Sequence, residues 1–385
     1  MFGATKKYSY GKQTISCSDM WAVLKALRSS WLTQGPKVRE FEQALCSYTG
    51  ARYCVVVANA TAALHIALLA LKISPLDRVV TSPITFVASA NSILHAGGNV
   101  QFADICPETA CIDPCEIEKN ITQETKGIMP VHFAGQSCDM ERIATIAKSR
   151  NLFVVEDAAH ALGSHYKDEK VGSCRYSDAA IFSFHPVKNI TTGEGGAITT
   201  NREDLYEVML MLRTHGITRD PARMTKNDGA WYYEQQLLGF NYRITDIQCA
   251  LGLSQLKRLD TFVQQRRELV EMYREEFRDD ARFCLLQENK YSRAAFHLFP
   301  LLIDFNEIKI NKKNLCAALA QKGVHTQVHY IPVHIQPYYR NLGFVSGSFP
   351  HAESYYQRTL SLPLYPLLRS RDIKNIVKII KTTAV

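Results

Sequence analysis

The sequence lacks the features of a membrane-spanning or disulfide-stabilised protein. No apolar run is long enough to span a bilayer, and the first residues (MFGATKKYSYGKQ) lack the apolar core of a signal peptide. Its 11 cysteines form no C-x-x-C pair and are odd in number, so we expect buried free thiols rather than disulfides. We therefore expect a cytoplasmic protein without membrane association.

Other absences exclude classes of partner and cofactor. Basic residues outnumber acidic ones by 45 to 37, but they are dispersed and form no stripe with interleaved aromatics, so we expect no nucleic-acid partner. The turn at residues 54–62 has no glycine, which argues against a nicotinamide-dependent dehydrogenase. We expect no metal site either, because neither the cysteines at 106–115 nor the histidines at 325–334 have a zinc-site pattern. The modest positive balance suits an anionic small substrate.

Strands and helices alternate regularly between about residues 50 and 200. The sequence predicts strands over 53–58, 78–82, 100–105, 127–131, 152–156, 179–183 and 197–200, and helices over 61–71, 86–95 and 140–149. Strands rich in valine and isoleucine that alternate with helices predict an α/β fold with a mostly parallel sheet covered on both faces. Ligands of such sheets bind at the carboxyl ends of the strands.

The second part of the chain has a different pattern. Thr245 and Asp246 are capping candidates for a long helix that continues to about Arg278, a length typical of a link between domains. The sequence then predicts a strand over 296–304, a helix over 314–322, a strand over 325–330 and a helix over 372–381. With 385 residues, we expect two domains: a large one over 1–245, and a small α+β domain with the linking helix over 246–385.

Two polar residues stand where predicted apolar strands end. Asp157 ends the run VVED, and Lys188 follows the run FSFHPV. A carboxylate that keeps a pyridine nitrogen protonated, and an amine that binds the cofactor covalently and then moves protons, are what pyridoxal 5'-phosphate (PLP) chemistry requires. The pair therefore predicts a PLP-dependent aminotransferase. The alternatives are a solvated loop lysine and an aspartate that caps the next helix.

Several segments resemble the DegT/DnrJ/EryC1/StrS family of sugar aminotransferases. They are LTQGPKVREFE, NATAALHIALLAL, VVEDAAHALGS, FSFHPVKNITTGEGGAITTN, GFNYRITDIQCALGLSQLKRLD and VHYIPVH. The resemblance implies the aspartate-aminotransferase-like fold (fold type I), with a large PLP-binding domain and a smaller C-terminal α+β domain. The spellings FHPVK and VHYIPVH are most similar to one branch, the nucleotide-sugar aminotransferases of pseudaminic acid biosynthesis.

The resemblance also implies contacts to the cofactor phosphate. Ala60 and Thr61 stand at the start of a predicted helix, where backbone N–H groups bind anions, and Ser183 adds a hydroxyl. An ordinary Asn or Thr helix cap is the alternative for the first pair. Asn241 corresponds to a residue that reaches the phosphate from the neighbouring subunit. This implies a homodimer with a shared active site.

Further contacts to the cofactor ring and the substrate follow from the same resemblance. Phe86 matches an aromatic that stacks on the ring, with core packing as the alternative, and His160 matches a position near the ring. Candidate sugar or nucleotide contacts are His185, Glu194, Arg243, His329 and Tyr330. Each of these could instead be an ordinary polar residue at a domain junction.

The reaction implied by the resemblance has two halves. L-glutamate donates its amino group, and the acceptor is a UDP-linked 4-keto-6-deoxy-N-acetylhexosamine of L-altro type, aminated at C4. Alternatives are a dTDP- or GDP-linked keto-sugar, an inosose, or sugar dehydration. Dehydratases of the family have histidine in place of the lysine, so Lys188 favours transamination. A PLP-fold protein without catalysis would be expected to have lost Lys188 or Asp157.

Overall fold

The computed structural model describes residues 6–384 and is built around one large sheet. Within these residues the strands are β1 (Tyr53–Val57), β2 (Arg78–Thr81), β3 (Asn99–Phe102), β4 (Thr125–Met129), β5 (Phe153–Asp157), β6 (His165–Tyr166), β7 (Glu169–Lys170), β8 (Ala179–Ser183), β9 (Gly196–Thr200), β10 (Ile217–Thr218), β11 (Glu234–Gln235), β12 (Phe283–Leu285), β13 (Ser292–Arg293), β14 (Phe299–Ile303) and β15 (Thr359–Leu362). The large sheet has the order β1-β9-β8-β5-β4-β2-β3, in which β9 is antiparallel to its neighbours and the other pairs are parallel. The predicted α/β fold with a mostly parallel sheet is confirmed.

Helices cover both faces of this sheet. Over the same residues they are α1 (Cys17–Leu27), α2 (Pro36–Thr49), α3 (Ala60–Ala70), α4 (Val87–His95), α5 (Pro114–Asn120), α6 (Met140–Ser149), α7 (Glu203–Arg213), α8 (Asp246–Leu256), α9 (Leu259–Phe277), α10 (Lys312–Gln321), α11 (Pro337–Asn341), α12 (Pro350–Arg358) and α13 (Ser370–Thr383). Side chains of β1 alternate between two cores: Val55 and Val57 pack with α3 and α7, whereas Cys54 and Val56 pack with α2 and α8. No helix among residues 6–384 is long and apolar enough to cross a membrane.

A separate core lies in the C-terminal part of the chain. The antiparallel sheet β12-β14-β15 packs with α9, α10 and α13 around buried residues such as Leu301, Leu319 and Ile376. Tyr8 joins this core, whereas Val333 and Tyr339 belong to the core of the large sheet. The domain boundary at residue 245 stays a prediction, since each of the two cores contains residues from before and from after this position.

Two predicted elements are wrong in detail. The long helix expected from Thr245 to Arg278 is two helices, α8 and α9, because Arg258 leaves the helical conformation (φ −111°, ψ 2°) and its guanidinium pairs with the buried Asp19. The strand expected over 325–330 is absent from the described chain, where a single bridge joins Gln327 to Ser361. After this bridge, the chain runs toward the large sheet instead of continuing alongside β15.

Candidate active site

Four strand ends of the large sheet converge at one edge. Asp157 ends β5 and pairs in register with Ile181 of the neighbouring β8. Ser183 ends β8 and pairs with Gly196, which begins β9, and Gly196 pairs in turn with Val57 at the end of β1. The chain thus collects a carboxylate, a hydroxyl and the start of α3 at the carboxyl ends of parallel strands, where ligands of such sheets bind.

Asp157 is a buried carboxylate with a fixed orientation. One carboxylate oxygen accepts a hydrogen bond from Ser89 Oγ at 2.6 Å, and the other accepts from the backbone N–H of Ala159 at 3.1 Å. The neighbouring Glu156 is held elsewhere by His132, whose Nε2 is 2.6 Å from a Glu156 oxygen. Because a buried charge is costly without partners, Asp157 is suited to face a cation such as a protonated ring nitrogen.

Lys188 lies in the loop that follows β8, where the charge of the Asp157 carboxylate acts on its amine. Burial lowers the pKa of its amine to about 8, although the Asp157 carboxylate acts in the opposite direction. The backbone N–H of Lys188 donates to the carbonyl oxygen of His185, which fixes the turn. Its Nζ is 3.4 Å from Nε2 of His297. A lysine with a lowered pKa has an appreciable neutral fraction near neutral pH, as a nucleophile or base requires.

Aromatic and imidazole rings surround the amine. His160 Nε2 is 3.0 Å from the Tyr330 hydroxyl, and the His160 ring lies 4.5 Å from that of His297. Burial and the charge of Lys188 lower the pKa of His160 and His297 well below the usual range, and they lower that of His329 to about 3. These rings are therefore neutral. Among the described residues, His160 Nδ1 is buried without a hydrogen-bond partner, so it is free to bind another group.

The start of α3 lies beside the end of β8. The Asn59 side chain caps this helix by accepting from the N–H of Ala62 at 2.9 Å, so the cap expected as the alternative is present. Gly196 approaches the helix start so closely that a Cβ there would lie 2.6 Å from the Asn59 carbonyl. Ala60 and Thr61 are therefore placed next to Ser183, with the helix N-terminus directed at the same edge. This arrangement suits a phosphate.

The other predicted contacts lie on the outside of this cluster. Phe86 is 58% exposed, with its ring centroid 6.2 Å from that of Tyr330. His185, Glu194 and Asn241 are exposed. Arg243 lines a cleft of about 770 Å³ between α2 and α7. Within residues 6–384, none of the last four side chains hydrogen-bonds to Asp157 or Lys188.

Sequence reasoning did not identify two contacts of the central pair. Ser89 stands one turn after Phe86 in α4, so helical spacing could have placed it on the same face. His297 precedes β14, more than 100 residues after Lys188, and no local pattern connects the two. Only the fold of the C-terminal part brings it to the amine.

Comparison with known proteins identifies the family. The sequence model of the DegT/DnrJ/EryC1/StrS aminotransferase family matches residues 13–381, which include the whole cluster described above. The chain belongs to this family. Aminotransferases of the DegT/DnrJ/EryC1/StrS family depend on PLP, and this member has a buried carboxylate and a lysine amine near the carboxyl ends of its parallel strands, where ligands of such sheets bind.

Curated relatives of this family member match along nearly the whole chain. The spore coat polysaccharide biosynthesis protein SpsC of Bacillus subtilis is 40% identical over 374 residues, covering 97% of this chain and 96% of the relative. A UDP-4-amino-4,6-dideoxy-N-acetyl-beta-L-altrosamine transaminase of Campylobacter jejuni is 38% identical over 369 residues, covering 95% and 94%.

Solved structures of sugar aminotransferases have the same fold. Helicobacter pylori PseC, an aminotransferase involved in the biosynthesis of pseudoaminic acid, matches with a TM-score of 0.91 and 34% identity, covering 98% of this chain and 99% of that one. The putative sugar aminotransferase Spr1654 of Streptococcus pneumoniae matches in its PLP form with a TM-score of 0.91 and 31% identity, covering 98% of each chain. The aspartate-aminotransferase-like fold expected from the resemblance is confirmed.

The site of this family member fits PLP. The unpartnered His160 Nδ1, the buried Lys188 amine and the close approach of Gly196 to the start of α3 suit a ligand with a polar ring substituent, an aldehyde and a phosphate.

Proposed function

We propose that this PLP-dependent sugar aminotransferase moves an amino group from L-glutamate to C4 of a UDP-linked 4-keto-6-deoxy-N-acetylhexosamine of L-altro type. The observation that carries the proposal is the Lys188 amine, buried beside a fixed Asp157 carboxylate in a chain of this family. The sugar is inferred from the Campylobacter transaminase and Helicobacter PseC, which are 38% and 34% identical.

Each reacting residue has a role in this proposal. PLP, when bound, supplies an aromatic ring that accepts electrons from the carbon that loses a proton. Lys188 would hold the cofactor through Nζ and, when its amine is free, would carry the proton between the carbon atoms. Asp157, fixed by Ser89 and the N–H of Ala159, pairs with the ring nitrogen and keeps it protonated.

The remaining cofactor contacts follow the geometry of the sheet edge. Ala60, Thr61 and Ser183 are proposed to bind the phosphate, because the α3 N-terminus and the end of β8 meet there. Phe86 is proposed to cover one face of the ring, since its side chain is exposed and stands near Tyr330. His160 is proposed to bind a polar substituent of the ring through Nδ1.

A homodimer with a shared active site is the second part of the proposal. Asn241 is exposed in one chain, so we propose that it binds the phosphate in the site of a second copy. Large apolar side chains before, in and after α1 are also exposed, as at a subunit interface: Ile15, Met20, Trp21, Leu24, Leu27, Trp31 and Leu32. His185, Glu194, Arg243, His329 and Tyr330 are proposed sugar or nucleotide contacts.

The first experiment measures turnover of alternative acceptors by the PLP-loaded protein with L-glutamate. We expect amination of the UDP-linked 4-keto sugar of L-altro type, detected by mass spectrometry of the product. Turnover of a dTDP- or GDP-linked keto-sugar or an inosose without turnover of the UDP-4-keto sugar would overturn the proposed acceptor. Loss of water from the sugar without gain of nitrogen would instead establish dehydration.

A further inference from the structure

His297 lies against the amine of Lys188, although none of the family-like segments includes it. Its Nε2 is 3.4 Å from Lys188 Nζ, and the side chain is 4% exposed. Within residues 6–384 this is the hydrogen bond that the lysine amine makes, whereas His297 Nδ1 has no partner. The contact therefore joins the central lysine to the segment that leads into β14.

The backbone around His297 is held in place at a cost. Phe296 has a left-handed φ of 45°, which is unusual for a bulky residue. Gly135 allows a close approach, since a Cβ there would lie 3.0 Å from the backbone nitrogen atoms of Phe296 and His297. The buried guanidinium of Arg266 in α9 donates to the carbonyl oxygens of Phe296 and His297 at 3.3 and 3.2 Å. These hydrogen bonds and the close approach of Gly135 fix the position of the His297 backbone.

The charges around His297 keep its ring neutral. Burial lowers the pKa of His297 well below the usual range, and the surrounding bases act in the same direction: Lys188, His160, Arg266 and His329. Asp157 acts on the lysine, whose pKa it raises against the effect of burial. A neutral imidazole with its proton on Nδ1 accepts a hydrogen bond through Nε2. His297 can therefore accept from the Lys188 amine without taking its proton.

We propose that His297 is a positioning residue for Lys188: through Nε2 it holds the lysine amine whenever that amine is not bound to the cofactor. The proposal rests on the proposed function, in which Lys188 alternates between covalent attachment and proton transfer. The free amine lies at the end of a four-carbon side chain that populates several rotamers. Rotamers that place Nζ away from the reacting atoms slow the proton transfer. A fixed acceptor keeps Nζ where the reaction needs it.

The test compares variants that remove the acceptor with one that keeps it. His297→Leu removes it, and His297→Asn leaves an amide too short to reach Nζ. His297→Gln keeps an acceptor at similar reach. His334→Gln replaces another buried imidazole, which pairs with Glu353 rather than with Lys188, and is the matched control.

The first readout is the pH dependence of Lys188 acetylation by acetic anhydride in the cofactor-free protein, followed by mass spectrometry. We expect a midpoint near the parent pKa of about 8. His297→Leu should lower this midpoint by about one pH unit, because the ammonium form loses its acceptor. His297→Gln and His334→Gln should leave it unchanged.

The second readout is the single-turnover reaction of the PLP-loaded variants with L-glutamate and with its α-deuterated form. We expect His297→Leu to react about tenfold to a hundredfold more slowly, with a larger isotope effect, because proton transfer becomes the slow step. An unchanged midpoint and rate in folded His297→Leu, or in His297→Asn if the first variant does not fold, would overturn the proposal. No reaction of the parent with L-glutamate would instead overturn the proposed donor, and the acetylation midpoint would still decide the role of His297.

Discussion

The two sides of the candidate site differ in how completely one chain builds them. The inner group is buried or half-buried and is connected by hydrogen bonds, ring contacts and charge: Asp157, His160, Lys188, His297 and Tyr330. The outer group is exposed or lines an open cleft: Phe86, His185, Glu194, Asn241 and Arg243. One chain therefore buries the proposed reacting groups, whereas the outer group stays open, as the proposed homodimer with a shared site requires.

Burial is what gives the inner group its chemistry. Removal from water lowers the pKa of Lys188 to about 8, and it keeps the neighbouring imidazoles neutral. Exposed members of the outer group have no comparable environment, and water screens their charges. Changes in the inner group should therefore alter rates strongly, and changes in the outer group should mainly alter affinity.

The largest effect is expected from Lys188→Ala. The variant loses both the covalent attachment and the proton carrier, so the reaction with L-glutamate should slow by about three orders of magnitude or more. Absorption spectra of the PLP-loaded protein before and after L-glutamate measure it. Lys148→Ala, at an exposed position of α6, is the control. A Lys188→Ala variant with the parent spectrum and rate would show that another group carries the chemistry.

Asp157→Asn should have the next largest effect. The amide has nearly the same shape but no charge to keep the ring nitrogen protonated, so the rate should fall about a hundredfold to a thousandfold. Single-turnover absorbance with L-glutamate measures the loss. Ser89→Ala leaves the charge and removes one hydrogen bond, so a loss of about tenfold is expected. Equal losses in both variants would contradict the assignment of the charge as the decisive feature.

The inner group was only partly predictable from the sequence. Asp157 and Lys188 could be found because Asp157 ends the strand β5 and Lys188 lies in the loop after the neighbouring β8, and a parallel sheet aligns such strand ends. His297 could not, because its position depends on Arg266 and on the packing of the C-terminal core. The same limit applies to the fold: alternation predicted the large sheet, but not the break at Arg258, which a distant ion pair with Asp19 stabilises.

The protonation state of Lys188 predicts how the cofactor-free protein captures PLP. The neutral amine is the nucleophile, and the pKa is lowered to about 8, so capture should be fast above this pH. Below it the rate should fall about tenfold per pH unit as the ammonium form accumulates. Stopped-flow absorbance measures the capture rate over pH 6–10, about the range in which the fraction of neutral amine changes. A midpoint near the ordinary lysine value would show that the amine is solvated.

Asn241→Ala tests whether the outer group depends on a second copy. Loss of one hydrogen bond should weaken PLP binding about tenfold, measured by equilibrium titration. At a PLP concentration that leaves Asn241→Ala mostly without cofactor, unfolding this variant together with Lys188→Ala and refolding the mixture should restore about one quarter of the parent sites, because half of random dimers are mixed and each has one intact site. Activity that never exceeds the mean of the separate variants would contradict a shared site.

The smallest effect is expected from Phe86→Ala. Phe86 is 58% exposed and its ring centroid lies 6.2 Å from that of Tyr330, so its removal should cost PLP binding about 0.5–1.5 kcal/mol of stacking. The measurement is again a PLP titration, and Leu76→Ala, at a residue 81% exposed, is the control for loss of an exposed apolar side chain. If the affinity for PLP falls while the single-turnover rate at saturating PLP is unchanged, the inner group determines the rate and the outer group the affinity. A large loss of rate in Phe86→Ala would show that the outer group also positions the reacting atoms, and the distinction between the two sides would fail.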